Sequence, residues 1–149
     1  MLRLPQFEMV FPEDVSGVVA LLGRPGTRIV AGGTDILPNL KHRLERPQVL
    51  VSLDRVREMQ GIESFEREIR IGARVTLATL AVDPLVRAHL PSLALAAGKV
   101  ASPLIRNMGT IGGNVNLDTR CRYVNQTEFW REALGGGCLK SEGDCCWVV

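Results

Sequence analysis

Apolar positions recur along this chain with two periods, and their order predicts the elements. Phe7, Val10 and Phe11 mark a first short strand. Pro12-Glu13-Asp14 then opens a helix, with proline where its missing N–H costs little and acids where the helix dipole favours them. Val15, Val18, Val19 and Leu22 fall at i, i+3, i+4 and i+7 and predict one buried helical face. Gly23 to Gly26 ends that helix, and Arg28-Ile29-Val30-Ala31 reads as a strand running straight into Gly32-Gly33. A second helix is predicted from Asp35 to Leu44, with Pro38 tolerated in its first turn. Val49-Leu50-Val51-Ser52-Leu53 is then a buried strand. Residues 5–54 thus read β-α-β-α-β, and such alternation implies parallel strands.

From Gly61 the pattern changes. Ile69-Arg70-Ile71 alternates as a strand, and Thr76 is placed to cap a helix carrying Leu77 and Leu80. Asp83-Pro84 and Pro91-Ser92 each restart a helix, the second reaching Ala101. No internal repeat, low-complexity tract or heptad seam interrupts this order.

Two glycine-rich turns carry the candidate chemistry. Ala31-Gly32-Gly33-Thr34-Asp35 lies between a predicted strand and a helix. Successive glycines can turn several backbone N–H groups toward one point, and the helix N-terminus adds positive potential there, which suits a pyrophosphate. The competing reading is a tight connection with no ligand. The second turn, Arg106-Asn107-Met108-Gly109-Thr110-Ile111-Gly112-Gly113-Asn114, offers donors for a phosphate, a ribose or a flavin ring edge. Its alternative is a plain turn after a helix, with Asn114 in left-handed geometry.

Charge narrows the partners. Eighteen basic residues against 16 acidic ones, with no long run of either sign, give no electrostatic reason to expect nucleic acid or an anionic membrane. The start, Met1-Leu2-Arg3-Leu4-Pro5, lacks the apolar centre of a signal peptide, and no stretch approaches a spanning helix, so a cytoplasmic protein is expected. In a reducing compartment the four cysteines, Cys121, Cys138, Cys145 and Cys146, point to metal ligation or redox chemistry before disulfides. Neither His42 nor His89 has a spaced partner for a metal site or a dyad, and both read as surface or helix-cap residues. No Ser-His-Asp, Cys-His or carboxylate pair suggests a catalytic group. The arginines from Arg43 to Arg57 read as a solvated or subunit-facing surface.

The ordered string Ala31-Gly32-Gly33-Thr34-Asp35, Ile71-Gly72-Ala73 with Thr76, Pro91-Ser92-Leu93, then Arg106-Asn107 leading into Thr110-Ile111-Gly112-Gly113-Asn114 resembles the flavin subunit of the molybdenum hydroxylase family. That family includes xanthine dehydrogenase, carbon monoxide dehydrogenase and aldehyde oxidoreductases. The resemblance implies an α+β, two-lobed FAD-binding domain of the PCMH-like type, in which a small β-α-β-α-β lobe joins a mixed α/β lobe. Lobes are expected at residues 1–55 and 56–117. It implies FAD contacts from Ile29, Val30, Ala31, Gly32, Gly33, Thr34, Asp35 and Ile36. Val100 and Thr110, Ile111, Gly112, Gly113 and Asn114 are implied to complete the site.

Residues 118–149 resemble the cysteine-containing loop insertion of 4-hydroxybenzoyl-CoA reductase flavin subunits, which holds a [4Fe-4S] cluster. The resemblance implies Cys121, Cys138 and Cys146 as metal ligands, with Cys145 a neighbour and a fourth ligand absent from this chain. Phe129 and Trp130 are expected to pack the insertion onto the flavin lobe; for these aromatics core filling is the expected role, with shielding of the cluster by Trp147 as the alternative. The stop at Val149 reads as a cut, with a C-terminal domain absent, weak FAD retention and an exposed apolar face expected.

The implied function is electron transfer from ferredoxin through the cluster and FAD to [2Fe-2S] clusters and a molybdenum cofactor on partner subunits. The implied reaction reduces 4-hydroxybenzoyl-CoA to benzoyl-CoA. Alternatives are an ordinary molybdenum hydroxylase flavin subunit passing electrons to NAD or oxygen, and a non-catalytic flavin-binding or zinc-stabilised interaction module.

Overall fold

The computed structural model describes residues 2–136 together with Cys138 and Cys146. In chain order the elements are β1 (Glu8–Val10), α1 (Val15–Leu22), β2 (Thr27–Val30), α2 (Ile36–Lys41), β3 (Val49–Ser52), a 3-10 turn (Arg57–Met59), β4 (Ile62–Phe65) and β5 (Glu68–Ile71). Six helices come after these: α3 (Leu77–Val82), α4 (Pro84–His89), α5 (Pro91–Lys99), α6 (Pro103–Met108), α7 (Ile111–Val115) and α8 (Glu128–Ala133). The chain divides into two compact units, one of Phe7–Thr34 with Pro47–Leu117, the other of Met1–Gln6, Asp35–Arg46 and Asp118–Val149.

The larger unit contains a three-stranded parallel sheet in the order β1-β3-β2. Central β3 pairs with both neighbours in parallel, with Val51 opposite Val10 on one side and Ile29 on the other. All three strands therefore end along one edge, where the chain enters the turns after Val10, Val30 and Ser52. In open parallel sheets this carboxyl edge is where ligands bind. The predicted strand-helix alternation is thus borne out in its parallel sense.

Helix α1 starts as its sequence dictates, because Oδ1 of Asp14 accepts a hydrogen bond from the Gly17 N–H at 2.7 Å. Its buried face is narrower than predicted. Val18, with Val15 and Leu21, packs on Val51, Leu53 and Val56, whereas Val19 and Leu22 are exposed. A two-turn helix against a small sheet covers only one stripe.

Strands β4 and β5 form an antiparallel hairpin pairing Ile62 with Ile71 and Phe65 with Glu68. Only β5 is predicted from sequence. Three of the four β4 residues are exposed, so no apolar alternation marks that strand. The hairpin leads into the helices, whose core is Val75, Leu77, Leu80, Val86, Ala94 and Ala97. Fully burying a side chain such as Leu80 contributes about 1.5–3 kcal/mol. Side-chain caps define successive helix starts: Thr76 for α3, Asp83 for α4 and Ser102 for α6.

In the smaller unit, α2 stops at Lys41 rather than Leu44. Arg43 takes φ 58°, its N–H bonds the Leu40 carbonyl and the Leu44 N–H bonds the Asn39 carbonyl. That is a Schellman closure with arginine where glycine usually sits. His42 is the C-cap, as its sequence position suggests. Helix α8 is capped by Thr127, which accepts from the Trp130 N–H.

Candidate functional site

The site is built at the carboxyl end of β2. Val30 is buried, and the chain then leaves the sheet through half-buried Ala31, Gly32, Gly33 and Thr34. Gly33 has φ 71°, a conformation that favours glycine. Gly32 is required for a different reason. A Cβ there would lie 1.8 Å from the Met108 carbonyl oxygen, so the end of α6 packs directly on the loop backbone. The two glycine-rich segments meet through main chain at Gly32 and Met108, and the Thr34 side chain lies beside Gly109.

Their hydrogen bonding differs. Among the described residues, the backbone N–H groups of Gly32, Gly33 and Thr34 donate no hydrogen bond. Buried N–H groups are rarely left unpaired in proteins, and three unpaired donors in a half-buried loop are open to water or a ligand. In the second segment the N–H groups of Ile111 to Asn114 are already used. Ile111 donates to Val75 O at 2.8 Å, Gly112 to Ala73 O at 2.9 Å and Asn114 to Thr110 O at 2.9 Å. The Gly113 N–H bonds the Thr110 hydroxyl at 3.1 Å.

These bonds make the second segment a short helix, α7, capped by Thr110 and zipped against the chain before α3. Asn114 lies inside that helix and is not left-handed. Gly112 is needed for close approach, since a Cβ would meet Ala73 O at 2.7 Å and Ala73 Cβ at 2.8 Å. The first loop thus presents free donors, and the second acts as its support while exposing the Asn114 side chain, which makes no hydrogen bond among the described residues.

The remaining candidates are spread over both units. Ile29 is part-exposed on β2, and Val100 is half-buried at the C-cap of α5, against the helical core. Asp35 and Ile36 begin α2 in the smaller unit. There Asp35 accepts from Asn39 Nδ2 at 2.8 Å and from Arg120 at 2.6 Å, and the same Arg120 nitrogen reaches Asn39 Oδ1 at 3.0 Å. Arg120 immediately precedes Cys121, so this network ties the start of the cysteine segment to the start of α2. Arg131 ties it to the other end, donating to the carbonyls of His42 at 3.1 Å, Arg43 at 3.2 Å and Gln126. Arg46 and Glu128 form a further ion pair.

The expected packing of Phe129 is corrected. Phe129 is 82% exposed, and Trp130 sits beside Tyr123 with ring centroids 6.2 Å apart. Charged side chains reaching main-chain carbonyls hold the segment. No local sequence pattern announces these contacts, because each arginine pairs with residues far away along the chain. Cys121 and Cys146 are half-buried and Cys138 is exposed, while Cys145 and Trp147 lie outside the described residues. Among the described residues no three His, Cys, Asp or Glu side chains converge as a metal would require.

Comparison with known proteins decides the family. The profile of the family described as the FAD binding domain in molybdopterin dehydrogenase matches residues 5–141. The chain belongs to this family. The carbon monoxide dehydrogenase medium chain of Hydrogenophaga pseudoflava is 41% identical over 113 residues, covering 74% of this chain and 39% of that one. The nicotinate dehydrogenase FAD-subunit of Eubacterium barkeri is 35% identical over 119 residues, covering 78% of this chain and 40% of its own length.

Solved structures agree. Carbon monoxide dehydrogenase from H. pseudoflava superposes with a TM-score of 0.74 at 39% identity, covering 76% of this chain and 40% of that chain. Quinoline 2-oxidoreductase from Pseudomonas putida 86 gives 0.71 at 36% identity, covering 74% and 39%. This chain spans about two fifths of the length of these relatives. The mixed α/β fold of the FAD-binding subunits is thus confirmed. The free donors at Gly32 to Thr34 fit the pyrophosphate of the dinucleotide this family binds, since main-chain N–H groups suit phosphate oxygens.

Proposed function

We propose that this chain is the FAD-binding part of an electron-transfer subunit in a molybdenum hydroxylase complex. One observation carries the proposal: three unbonded N–H groups, at Gly32, Gly33 and Thr34, lie in a loop fixed by the Met108 main chain. In this reading those groups hold the pyrophosphate, with Ile29, Val30 and Ala31 leading into it and Asp35 and Ile36 following. Thr110 to Gly113 keep the support rigid, and Val100 and Asn114 flank the cofactor. The lobes divide at residues 1–55 and 56–117, with 118–149 an insertion. FAD supplies the exchange of electrons singly or in pairs, and the protein supplies its placement. The partners are a molybdenum-cofactor subunit and a [2Fe-2S] subunit, in the cytoplasm. None of the described helices is long and apolar enough to cross a membrane.

Two finer readings divide on the cysteines. The sequence of residues 118–149 supports a 4-hydroxybenzoyl-CoA reductase-like subunit. It would take electrons from ferredoxin for reductive dehydroxylation to benzoyl-CoA, with Cys121, Cys138 and Cys146 completing a [4Fe-4S] site only with a fourth thiolate. The likeness to carbon monoxide and nicotinate dehydrogenase subunits supports the second reading, an ordinary hydroxylase subunit with FAD passing electrons to NAD or another acceptor.

Anaerobic reconstitution with FAD, iron, sulfide and an excess of a small external thiol to supply the fourth thiolate, followed by an absorption spectrum and flavin, iron and zinc analysis, separates them. FAD with about four irons per chain, lost in Cys121→Ser, supports the reductase reading. FAD without iron supports the ordinary hydroxylase, and zinc without flavin overturns both.

A further inference from the structure

Among the described residues only two non-glycine residues have positive φ, Arg43 at 58° and Ala101 at 44°. Both are treated alike. A guanidinium bonds the carbonyl of the left-handed residue and the carbonyl before it: Arg131 reaches His42 O and Arg43 O, and Arg106 reaches Val100 O at 2.8 Å and Ala101 O at 3.0 Å. A left-handed turn aims two successive carbonyls at one donor. A Cβ disfavours that turn by roughly a tenfold shift in its equilibrium, and a charged donor can hold it closed.

The turn at Ala101 sets the start of α6. Ser102 caps that helix, Arg106 lies in its last turn, and its end delivers the Met108 carbonyl onto Gly32. Just beyond, the Gly109 carbonyl accepts from the Leu77 N–H at 2.9 Å, which registers the end of α6 against α3. Turn, helix and glycine loop belong to the same compact unit.

We infer that Arg106 is a positioning residue, a latch that holds the left-handed turn at Ala101 and thereby sets where α6 supports the Gly32–Thr34 loop. It need not touch the cofactor. This rests on the proposal that the loop binds FAD. It goes beyond that proposal by assigning affinity to a side chain whose described bonds point to backbone away from the loop.

The test is a double-mutant cycle on the full chain, with Arg106→Gln, Ala101→Gly and the pair. FAD affinity is read by quenching of flavin fluorescence, and amide exchange at Leu77 is read in the cofactor-free protein. Arg106→Gln is expected to weaken FAD about tenfold and to speed Leu77 exchange by a similar factor. Ala101→Gly alone changes FAD affinity by less than about twofold, because glycine adopts the turn unaided. In the double mutant it restores both readings. A purely structural arginine gives additive effects with no rescue, and that result overturns the latch. Undiminished FAD binding and Leu77 protection in Arg106→Gln overturn it as well. Failure of the wild-type chain to bind FAD instead overturns the flavin reading, and with it the latch's role in affinity.

Discussion

Replacing Gly32 with alanine adds one methyl group at the point where the two glycine segments touch. Its Cβ would sit 1.8 Å from the Met108 carbonyl oxygen and 2.6 Å from the carbonyl carbon. Real Cβ contacts hardly ever fall below 3.0 Å, and both neighbours are main chain, so no rotamer change relieves the clash. The loop and the end of α6 must part by about 1 Å or more in a densely packed region.

That end is pinned on both sides: the Gly109 N–H bonds Ile105 O at 2.6 Å, and the Gly109 carbonyl accepts from Leu77. The cost therefore falls at the upper end of the overpacking range of about 1–3 kcal/mol. Displacing the loop also loses at least one hydrogen bond to a charged phosphate, worth about 1.5–3 kcal/mol. FAD binding should weaken roughly 10- to 100-fold.

The control is Gly98→Ala in α5, where the new Cβ meets Ala81 Cβ at an ordinary 3.6 Å. Removing a helix glycine there should stabilise by about 0.5–1 kcal/mol. Thermal melts and FAD titrations of both variants give the comparison. A Gly32→Ala protein that melts with the wild type and keeps its FAD affinity would refute the contact.

The same geometry sets other expectations. Gly112→Ala, with Cβ 2.7 Å from Ala73 O, should destabilise by about 1–3 kcal/mol in a denaturant melt, since the zipped strand cannot retreat. Thr110→Ala removes the cap on the Gly113 N–H and should cost about 1 kcal/mol, with Thr110→Ser recovering most of it. Arg120→Ala should speed proteolysis after Asp118 while leaving the far-ultraviolet circular dichroism unchanged. Its global cost should stay near ~1 kcal/mol, because Asp35 is 44% exposed and solvent screens the pair.

The strand-helix order, the parallel sheet, the cap at Thr76 and the helix starts at Asp14 and Asp83-Pro84 were legible because each rests on neighbouring residues. The first glycine loop was legible for the same reason. The internal hydrogen bonding of the second was not. Its N–H groups look like ligand donors in the sequence, yet Val75, Ala73 and Thr110 accept from them once the chain folds. The contact of Met108 with Gly32 joins segments far apart in sequence, and backbone approach leaves no hydrophobic pattern. Strand β4 leaves no apolar alternation because most of it faces solvent, and the small sheet covers only the Val15 and Val18 part of the predicted α1 stripe. The cysteine segment was read for its thiols, whereas its docking depends on Arg120 and Arg131 reaching α2.

We propose that the loop after β2, and not residues 111–114 of the second glycine segment, donates its main chain to the FAD pyrophosphate. Titrating isotope-labelled protein with FAD and following amide resonances tests it directly. Large shifts and slowed exchange at Gly32, Gly33 and Thr34, with Ile111 to Asn114 nearly unmoved, are predicted. Tight FAD binding that leaves Gly32 to Thr34 unchanged, or that perturbs Ile111 to Asn114 most, would contradict it.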